Sequence, residues 1–492
     1  MKALPPDFGD KPAHECGVMG IYAPGRDVAR LSFFALFALQ HRGQEAAGIA
    51  VSDGQDVRMH RGGGLVAQVF TESDLAQLPG HMSVGHTRYS TSGGSGADGV
   101  QPIYCQSVVG DVAVAHNGNL VNPVDLRARV TSLGLPYQGN TDSEAIARLY
   151  AYHLEHGPIE SARRTMVDLV GAYSVVVLTP RHIVAFRDPH GLRPLVLGRL
   201  GDGWVVASES CAFGPVGATF EREIEPGEVV LIDENGITSD RMSTRPQRAT
   251  CLFEFIYFAR PDSYLDGSTV YAARSRMGET LAREHPVEAD LVVPVPDSGF
   301  PAALGYSKAS GIPVGEGLIK SRYIHRTFIE PDPSMRERGV RLKLSPLPDA
   351  IRDKRLVLVD DSIVRSTTMR QIVRLLKEAG AKEVHVRITA PPIISPCFYG
   401  VDFPTKSELA AANFSIDAIR RDIGAESLGY LSVTGTAMAV GRPMRDYCLA
   451  CFTGQYPIPV PENMSKEVLM KSEHLGSMAS VDTAQRLLPG TE

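Results

Sequence analysis

The stretch that most constrains this chain is Arg355-Leu-Val-Leu-Val-Asp-Asp-Ser-Ile-Val-Arg-Ser-Thr-Thr368. Residues 356–359 form an unbroken apolar run containing two valines, which reads as a short strand covered on both faces, as in a parallel sheet. Asp360 and Asp361 then stand at its carboxyl end, and ligands of open α/β sheets bind in the crevice outside that end. Residues 369–379 carry Ile372, Val373, Leu375 and Leu376 at helical spacing, with Ser366, Thr367 and Thr368 as candidate caps and Gly380 as the stop. A helix opening there turns unpaired N–H groups and the positive end of its dipole toward a hydroxyl-rich loop, a fitting place for a phosphate. The paired acids could take ribose hydroxyls or a metal, so the ligand class is a phosphorylated sugar. On the acids alone, a strand–turn–helix unit with solvated carboxylates reads equally well.

The whole string resembles the phosphoribosyl-pyrophosphate (PRPP) loop of type I phosphoribosyltransferases, with Ser366 standing where that family usually has glycine. The resemblance implies that Asp360, Asp361, Ser362, Ile363, Val364, Arg365, Ser366, Thr367 and Thr368 contact PRPP. A second apolar run, Leu291-Val-Val-Pro-Val-Pro-Asp-Ser-Gly299, ends in a turn. By the same resemblance Asp297, Ser298 and Gly299 face the pyrophosphate. Ser298, Asp360 and Asp361 would then belong to a site for one Mg²⁺ per subunit, the ion that hard oxygen ligands and a pyrophosphate select. Between the two strands, Lys320-Ser-Arg-Tyr-Ile-His-Arg-Thr-Phe-Ile-Glu-Pro331 and the cations up to Lys343 show no apolar period and read as a long loop. A solvated basic loop is the plain reading. The resemblance implies a lid over PRPP, with Tyr323, Arg326 and Thr327 at its motif positions and His325 where glycine is usual.

At 492 residues the chain is long enough for about three domains of ordinary size. With 43% hydrophobic and 22% charged residues it has the composition of a soluble globular enzyme. A net charge of −6 argues against a nucleic-acid partner, which needs a basic surface. No apolar run approaches the roughly 18 residues of a membrane span. The start, Met1-Lys-Ala-Leu-Pro-Pro, lacks the apolar segment of a secretory signal, so the expected location is the cytoplasm. Seven cysteines, an odd number without an export signal, suggest thiols or ligands over disulfides.

Residues 1–15 are polar and without period. Cys16-Gly-Val-Met-Gly-Ile-Tyr22 follows as a small-residue apolar strand opening on a cysteine, a residue that by type alone is more often a buried small hydrophobe than a nucleophile. The strings that follow change its setting: Gln40-His-Arg-Gly-Gln-Glu-Ala-Ala-Gly-Ile49, then Gly85-His-Thr-Arg-Tyr-Ser-Thr91 after one strand-like run, Ala115-His-Asn-Gly-Asn119 after another over 108–115, and Gly139-Asn-Thr-Asp-Ser-Glu144 opening a helix over 143–153. Together they offer a thiol, a fixed cation, an amide beside a glycine N–H, and a carboxylate. Such a set can hold an amino acid by both charged ends and attack its side-chain amide.

In this order the strings resemble the class II, N-terminal-nucleophile glutamine amidotransferase domain over residues 16–245. The resemblance implies removal of residues 1–15 as a propeptide, so that the α-amine of Cys16 acts as base for its own thiol. It makes Asn117, through its side-chain amide, and Gly118, through its backbone N–H, the oxyanion hole. Arg88 would pair with the glutamine α-carboxylate, a task suited to a planar fork, and Asp142 with the α-ammonium. Taken singly, Arg88 reads as a surface cation and Asp142 as a helix cap. Arg187-Asp-Pro-His-Gly-Leu-Arg-Pro194 reads as structural, and Cys105 and Cys211 as core or surface thiols.

A polar linker over 244–249 precedes the second domain, residues 250–464. It carries Cys251, Cys397, and the pair in Tyr447-Cys-Leu-Ala-Cys-Phe452. Alone, this C-x-x-C is explained as well by a buried pair or a zinc knuckle. Over nearly its whole length the chain resembles the glutamine phosphoribosylpyrophosphate amidotransferases, and one branch of that family has both the cleaved leader and cysteines at these four positions. That implies one [4Fe–4S] cluster per subunit on Cys251, Cys397, Cys448 and Cys451, with zinc as the alternative. The implied architecture is an αββα sandwich followed by an α/β parallel sheet, and the 465–492 tail is polar and without chemistry. The implied reaction splits glutamine at Cys16 and uses the ammonia to displace pyrophosphate from PRPP, giving 5-phosphoribosylamine, the first step of purine synthesis. The family also implies feedback by purine nucleotides and a homotetramer. Two rivals are a non-catalytic regulator, in which the Cys16, Arg88, Asn117 and Asp142 set would be wasted, and another class II amidotransferase, which would lack the 356–368 string.

Overall fold

The computed structural model describes residues 16–89, 99–137, 141–243, 246–321, 343–401, 403 and 405–461. The leader, the lid positions Tyr323, His325, Arg326 and Thr327, and the tail beyond 461 lie outside the described residues. The chain forms two compact units. One is built from residues 16–250 with 398–401 and 456–461, the other from 251–397 with 403–455.

The first unit is a four-layer αββα sandwich, in agreement with the expected class. Among the described residues its strands in chain order are β1 (Gly17–Tyr22), β2 (Ala46–Ser52), β3 (Val57–Gly63), β4 (Met82–Arg88), β5 (Ile103–Ser107), β6 (Gly110–Leu120), β7 (Gly171–Leu178), β8 (Ile183–Arg187), β9 (Val196–Leu200), β10 (Gly203–Ala207), β11 (Thr219–Glu223), β12 (Glu228–Asp233) and β13 (Gly236–Arg241). They make a seven-stranded sheet, β11-β9-β10-β1-β4-β2-β3, and a six-stranded sheet, β13-β12-β8-β7-β6-β5. Three apolar cores explain the layering. Val18, Met82 and Val84 of the first sheet pack against Ala113, Ala115, Val176 and Ile183 of the second. Met19, Ile21, Ile49 and Val205 on the outer face of the first sheet meet Ala35 and Leu36 of the helix Val28–Ala38. Val114, Val175 and Phe186 on the outer face of the second sheet meet Ile146, Leu149 and Tyr150 of the helix Asp142–His153. Each central strand is therefore buried on both faces, so it reads as a continuous apolar run although the sheets are antiparallel.

One expectation is corrected here. The strand expected over 108–115 begins two residues later, at Gly110, since Val108 and Val109 are exposed at the hairpin tip between β5 and β6. From there β6 runs on through His116, Asn117, Gly118 and Asn119, all paired with β7. Polar residues and a glycine signal a turn when read locally, but pairing with Ala172–Val175 of β7 keeps the strand going.

The second unit contains a four-stranded parallel sheet in the order Leu291–Pro294, Arg355–Asp360, Glu383–Ile388, Ser427–Tyr430. Leu356, Val357, Leu358 and Val359 are wholly buried, as their unbroken apolar run requires. The helix after this strand is Thr367–Glu378, two residues earlier than its apolar spacing suggests. It turns Met369, Ile372, Val373, Leu375 and Leu376 inward, and the chain then turns at Gly380 with φ +101°.

Candidate active site

In the first unit, Cys16 immediately precedes β1, whose first residue, Gly17, pairs with Thr87 of β4. That register sets Cys16 beside Arg88, the last residue of β4, and the Cys16 thiol lies 3.7 Å from the Tyr89 carbonyl oxygen. The start of β1 is clamped on the other side as well: Val18 N–H donates to Ser208 Oγ at 3.0 Å, and Ser208 N–H to the Val18 carbonyl at 2.9 Å. Arg42 Nε donates to the Cys16 carbonyl at 3.1 Å, and its guanidinium pairs with the buried Glu209 carboxylate. His41 Nε2 meets the same carboxylate at 2.8 Å and Cys211 Sγ lies 3.7 Å from it. His41, Glu209 and Cys211 bring ligand-type atoms within 4.8 Å of one another. The Arg42 guanidinium already supplies the positive charge there, so the group reads as a scaffold for the nucleophile's backbone. The sequence strings hold both Arg42 and Glu209 but give no sign of their pairing, since buried opposite charges 167 residues apart carry no local signal. Arg88 is tucked against Gly99, where a side chain would run into its guanidinium.

Asn117 and Gly118 lie on β6, which faces β1 and β4 across the inner core. Asn117 is 1% exposed and its Nδ2 has no partner. A buried amide donor left unpaired costs about 1–3 kcal/mol, so it points to an acceptor that a ligand brings. Gly118 has φ +143°, and a Cβ there would collide with the Ala172 carbonyl of β7, so no other residue fits. Asp142 opens the helix Asp142–His153, which is capped by the Thr141 hydroxyl. Its carboxylate accepts from Leu120 N–H at 3.1 Å, tying it to the end of β6. Ser143 Oγ bridges His116 Nδ1 and Gln101 Nε2, both at 3.1 Å. Burial holds His116 below the ordinary imidazole range despite the Asp142 carboxylate 3.8 Å away. Its neighbour His86 is driven to about 3 by burial first, then by Arg88 and His116. Both imidazoles are therefore neutral, leaving the Arg88 cation and the Asp142 carboxylate as the opposite charges near the ends of β4 and β6.

In the second unit Asp360 and Asp361 are buried at the carboxyl end of their strand. Asp361 accepts from Ser298 Oγ and from Ser362 Oγ, each at 2.5 Å, and its N–H donates to Asp360 Oδ1 at 2.9 Å. Val295 N–H donates to the Val359 carbonyl at 2.8 Å, and a Cβ at Gly299 would meet that carbonyl oxygen. The turn 295–299 can thus close onto the strand end only with glycine there, which brings Ser298 to Asp361. Asp297, by contrast, is exposed and pairs with Lys320 Nζ at 2.5 Å. Residues 362–368 lead into the helix Thr367–Glu378 as expected, but Ser366 makes no cap bond. It adopts φ +70°, and its hydroxyl donates to Asp422 Oδ2 at 2.6 Å. Arg365 pairs with Glu408 at 3.1 Å, and Ala410 N–H donates to the Val364 carbonyl at 2.8 Å, so the loop is moored along its length to residues 408–422.

The same unit gathers four thiols. Burial, then the facing Cys251, Cys448 and Cys397, push the Cys451 thiol well above its usual range. The Cys451 carbonyl accepts from Ile394 and Ser395 N–H at 2.9 and 3.1 Å, which draws the strand of chain carrying Cys397 toward the Cys448–Cys451 turn. Cys105, by contrast, is a lone buried thiol of the first unit, raised to about 11 by burial.

Residues 86–214 match the glutamine amidotransferase domain family and residues 262–390 the phosphoribosyl transferase domain family. The amidophosphoribosyltransferase of Synechocystis sp. is 50% identical over 94% of this chain and 94% of its own length. The chain belongs to the amidophosphoribosyltransferase family. The Bacillus subtilis amidophosphoribosyltransferase is 47% identical, covering 91% of this chain and 94% of that one. A solved structure of glutamine PRPP amidotransferase from B. subtilis, complexed with ADP and GMP, superposes with a TM-score of 0.86 at 45% identity, covering 92% of this chain and 99% of that one. Among the described residues no helix is long and apolar enough to cross a membrane.

Proposed function

We propose that this chain is a working amidophosphoribosyltransferase that takes ammonia from glutamine and places it on PRPP, opening purine nucleotide synthesis in the cytoplasm. The observation that carries the glutaminase half is the unpartnered Asn117 amide, buried on the strand that faces the nucleophile's own. With the leader 1–15 removed, the Cys16 α-amine, with a reference pKa of about 7.7–8.0, accepts the thiol proton near neutrality. The thiolate adds to the glutamine side-chain carbonyl, and the oxyanion forms where Asn117 Nδ2 and Gly118 N–H donate. Arg88 takes the α-carboxylate and Asp142 the α-ammonium. The amine then returns the proton to the departing ammonia, and water releases glutamate from the thioester.

In the transferase half, the loop 362–368 and the N–H groups opening the helix Thr367–Glu378 hold the 5-phosphate. Asp360 and Asp361 take the ribose hydroxyls, and the turn at Asp297, Ser298 and Gly299 faces the pyrophosphate. The oxygen donors of Ser298, Asp360 and Asp361 suit Mg²⁺, which when bound would neutralise charge on the leaving pyrophosphate. Ammonia attacks the ribose C1 with inversion, and positioning with charge neutralisation supplies most of the rate.

Four converging cysteines fit a [4Fe–4S] cluster: the Cys451 thiol, which resists ionisation beside Cys251, Cys448 and Cys397, needs a cationic core among them to be held as a thiolate. Bound there, the cluster would brace distant parts of the chain. The ADP and GMP in the B. subtilis structure support purine nucleotides as feedback ligands, and the family resemblance suggests a homotetramer. The deciding experiment is glutamate release by anaerobically purified protein with and without PRPP and Mg²⁺. Strong stimulation is expected. Release that ignores PRPP would overturn the coupled reading, and no release from protein beginning at Cys16 would favour a regulator.

A further inference from the structure

Residues 398–401 belong to the first unit although 251–397 and 403–455 around them form the second. This strap lies on the end of β6. Asn119 Nδ2 donates to the Phe398 carbonyl at 2.7 Å. The buried Arg193 donates to the Tyr399 carbonyl through Nε at 3.0 Å and Nη2 at 2.5 Å. Tyr399, 1% exposed, donates its hydroxyl to the Ile458 carbonyl at 2.5 Å and accepts from Ile458 N–H at 3.1 Å. Gly400, with φ +115°, sits so close to Gly118 that a Cβ would come within 3.4 Å of the Gly118 carbonyl carbon and 3.5 Å of its Cα.

We propose that the strap 398–401 is the positioning element of the oxyanion hole, pressing Gly400 onto the Gly118 backbone and holding it there through Asn119, Arg193 and Tyr399. The need is physical. Gly118 occupies a backbone conformation open only to glycine, near the end of its strand, and a glycine peptide carries no side chain to fix its plane. Its N–H stabilises an oxyanion only if the plane is set in advance, since reorientation during the reaction would cancel the gain. β7 supports the Gly118 position on one side, where its missing Cβ faces Ala172, and the strap supports it at the carbonyl. The glutaminase site therefore depends on residues about 280 positions beyond its last strand-borne donor, in keeping with the 279-residue separation of Asn119 and Phe398.

This inference rests on the assignment of Asn117 and Gly118 to the oxyanion hole, so the test separates the two. Asn119→Ala removes one of the strap's hydrogen bonds, Gly400→Ala strains the strap at φ +115° and puts a Cβ against the Gly118 backbone, and Asn117→Ala serves as the reference for the hole itself. In each full-length protein one measures kcat and KM for glutamine hydrolysis, the rate of Cys16 alkylation by iodoacetamide, ammonia-dependent phosphoribosylamine formation and the thermal midpoint. For the two strap variants the expected result is a kcat loss of about 10–100-fold, as misplacement of a catalytic group produces. KM, alkylation and ammonia-dependent synthesis should stay near the parent values, because nucleophile and transferase are untouched. An unchanged kcat, or alkylation and both activities falling together with the midpoint, would overturn the proposal. If Asn117→Ala itself kept full kcat, the oxyanion assignment would fall and the strap's role with it.

Discussion

Ser366 is the sharpest place to test the structural reasoning. Among the described residues it is one of three non-glycine residues with positive φ, the others being Asp266 and Asp353, and aspartate tolerates that region through its own backbone bonding whereas serine does so less. Holding serine at φ +70° costs roughly 1 kcal/mol. Against that stands the 2.6 Å bond from its hydroxyl to Asp422, a carboxylate also held by Arg370 at 2.5 Å. A hydroxyl–carboxylate bond contributes about 1.5–3 kcal/mol when buried. Ser366 is buried, but the Asp422 side chain is 42% exposed. That exposure brings the worth of the bond down to about 1 kcal/mol. Ser366→Ala keeps the strain and loses the bond, so it should destabilise the transferase unit by about 1 kcal/mol. Ser366→Gly loses the bond but relieves the strain, leaving stability within about 0.5 kcal/mol of the parent. For a unit of this size 1 kcal/mol moves the thermal midpoint by roughly 2–4 °C. Calorimetry of the transferase transition in the three proteins checks the order. A glycine variant less stable than the alanine variant would refute the claim that backbone strain is stored at 366.

Cys16→Ala should bring glutamine-dependent synthesis to background while ammonia-dependent synthesis persists, and loss of both by product assay would make Cys16 a fold residue. Asp361→Asn should cost about 10²–10³-fold in either synthesis, as losing a charged group at the reacting centre does, and a variant within a few-fold of the parent in kcat would contradict its place beside Ser298. Cys451→Ser should drop iron from about four atoms per chain, as one cubane requires, and bleach the visible absorption of anaerobic protein, whereas zinc found in a colourless parent protein would refute the cluster. His86, held at about 3 against an ordinary 6.5, favours the folded state only while neutral. Its contribution, on the order of a few kcal/mol, is thus full above about pH 6.5 and is lost as pH falls toward 3. His86→Gln should flatten that part of the acid-unfolding profile, and identical slopes for parent and variant between pH 6.5 and 4 would sink the reading.

What could be read directly follows from how far each feature's cause lies along the chain. The strand at 356–359 was legible because burial on both faces demands an unbroken apolar run, and the acids at its end follow from the architecture. Asp142 was legible because a first-turn acid after Thr141 is a local pattern. Where the cause is distant, local signals mislead. His116 to Asn119 look like a turn and are strand because Gly171–Leu178 pairs with them. Ser366 stands at the N-cap, as its type suggests, but its hydroxyl bonds Asp422, 56 positions on, instead of the helix. Cys251, Cys397, Cys448 and Cys451 have no common spacing, and only the fold makes their thiols face one another. The strap is the extreme case. Phe398-Tyr-Gly-Val401 carries no periodicity and no charge, yet one glycine in it lies on the Gly118 backbone. Its placement has a cost that a two-domain reading conceals. The first unit's chain before residue 251 ends without the pieces that lie on β6, so a fragment of residues 16–250 should fold its sheets yet leave Asn119 and Arg193 without the Phe398 and Tyr399 carbonyls they hold in the whole chain. The fragment forfeits those hydrogen bonds, each contributing about 0.5–1.5 kcal/mol, a sizeable part of the margin by which a domain is stable.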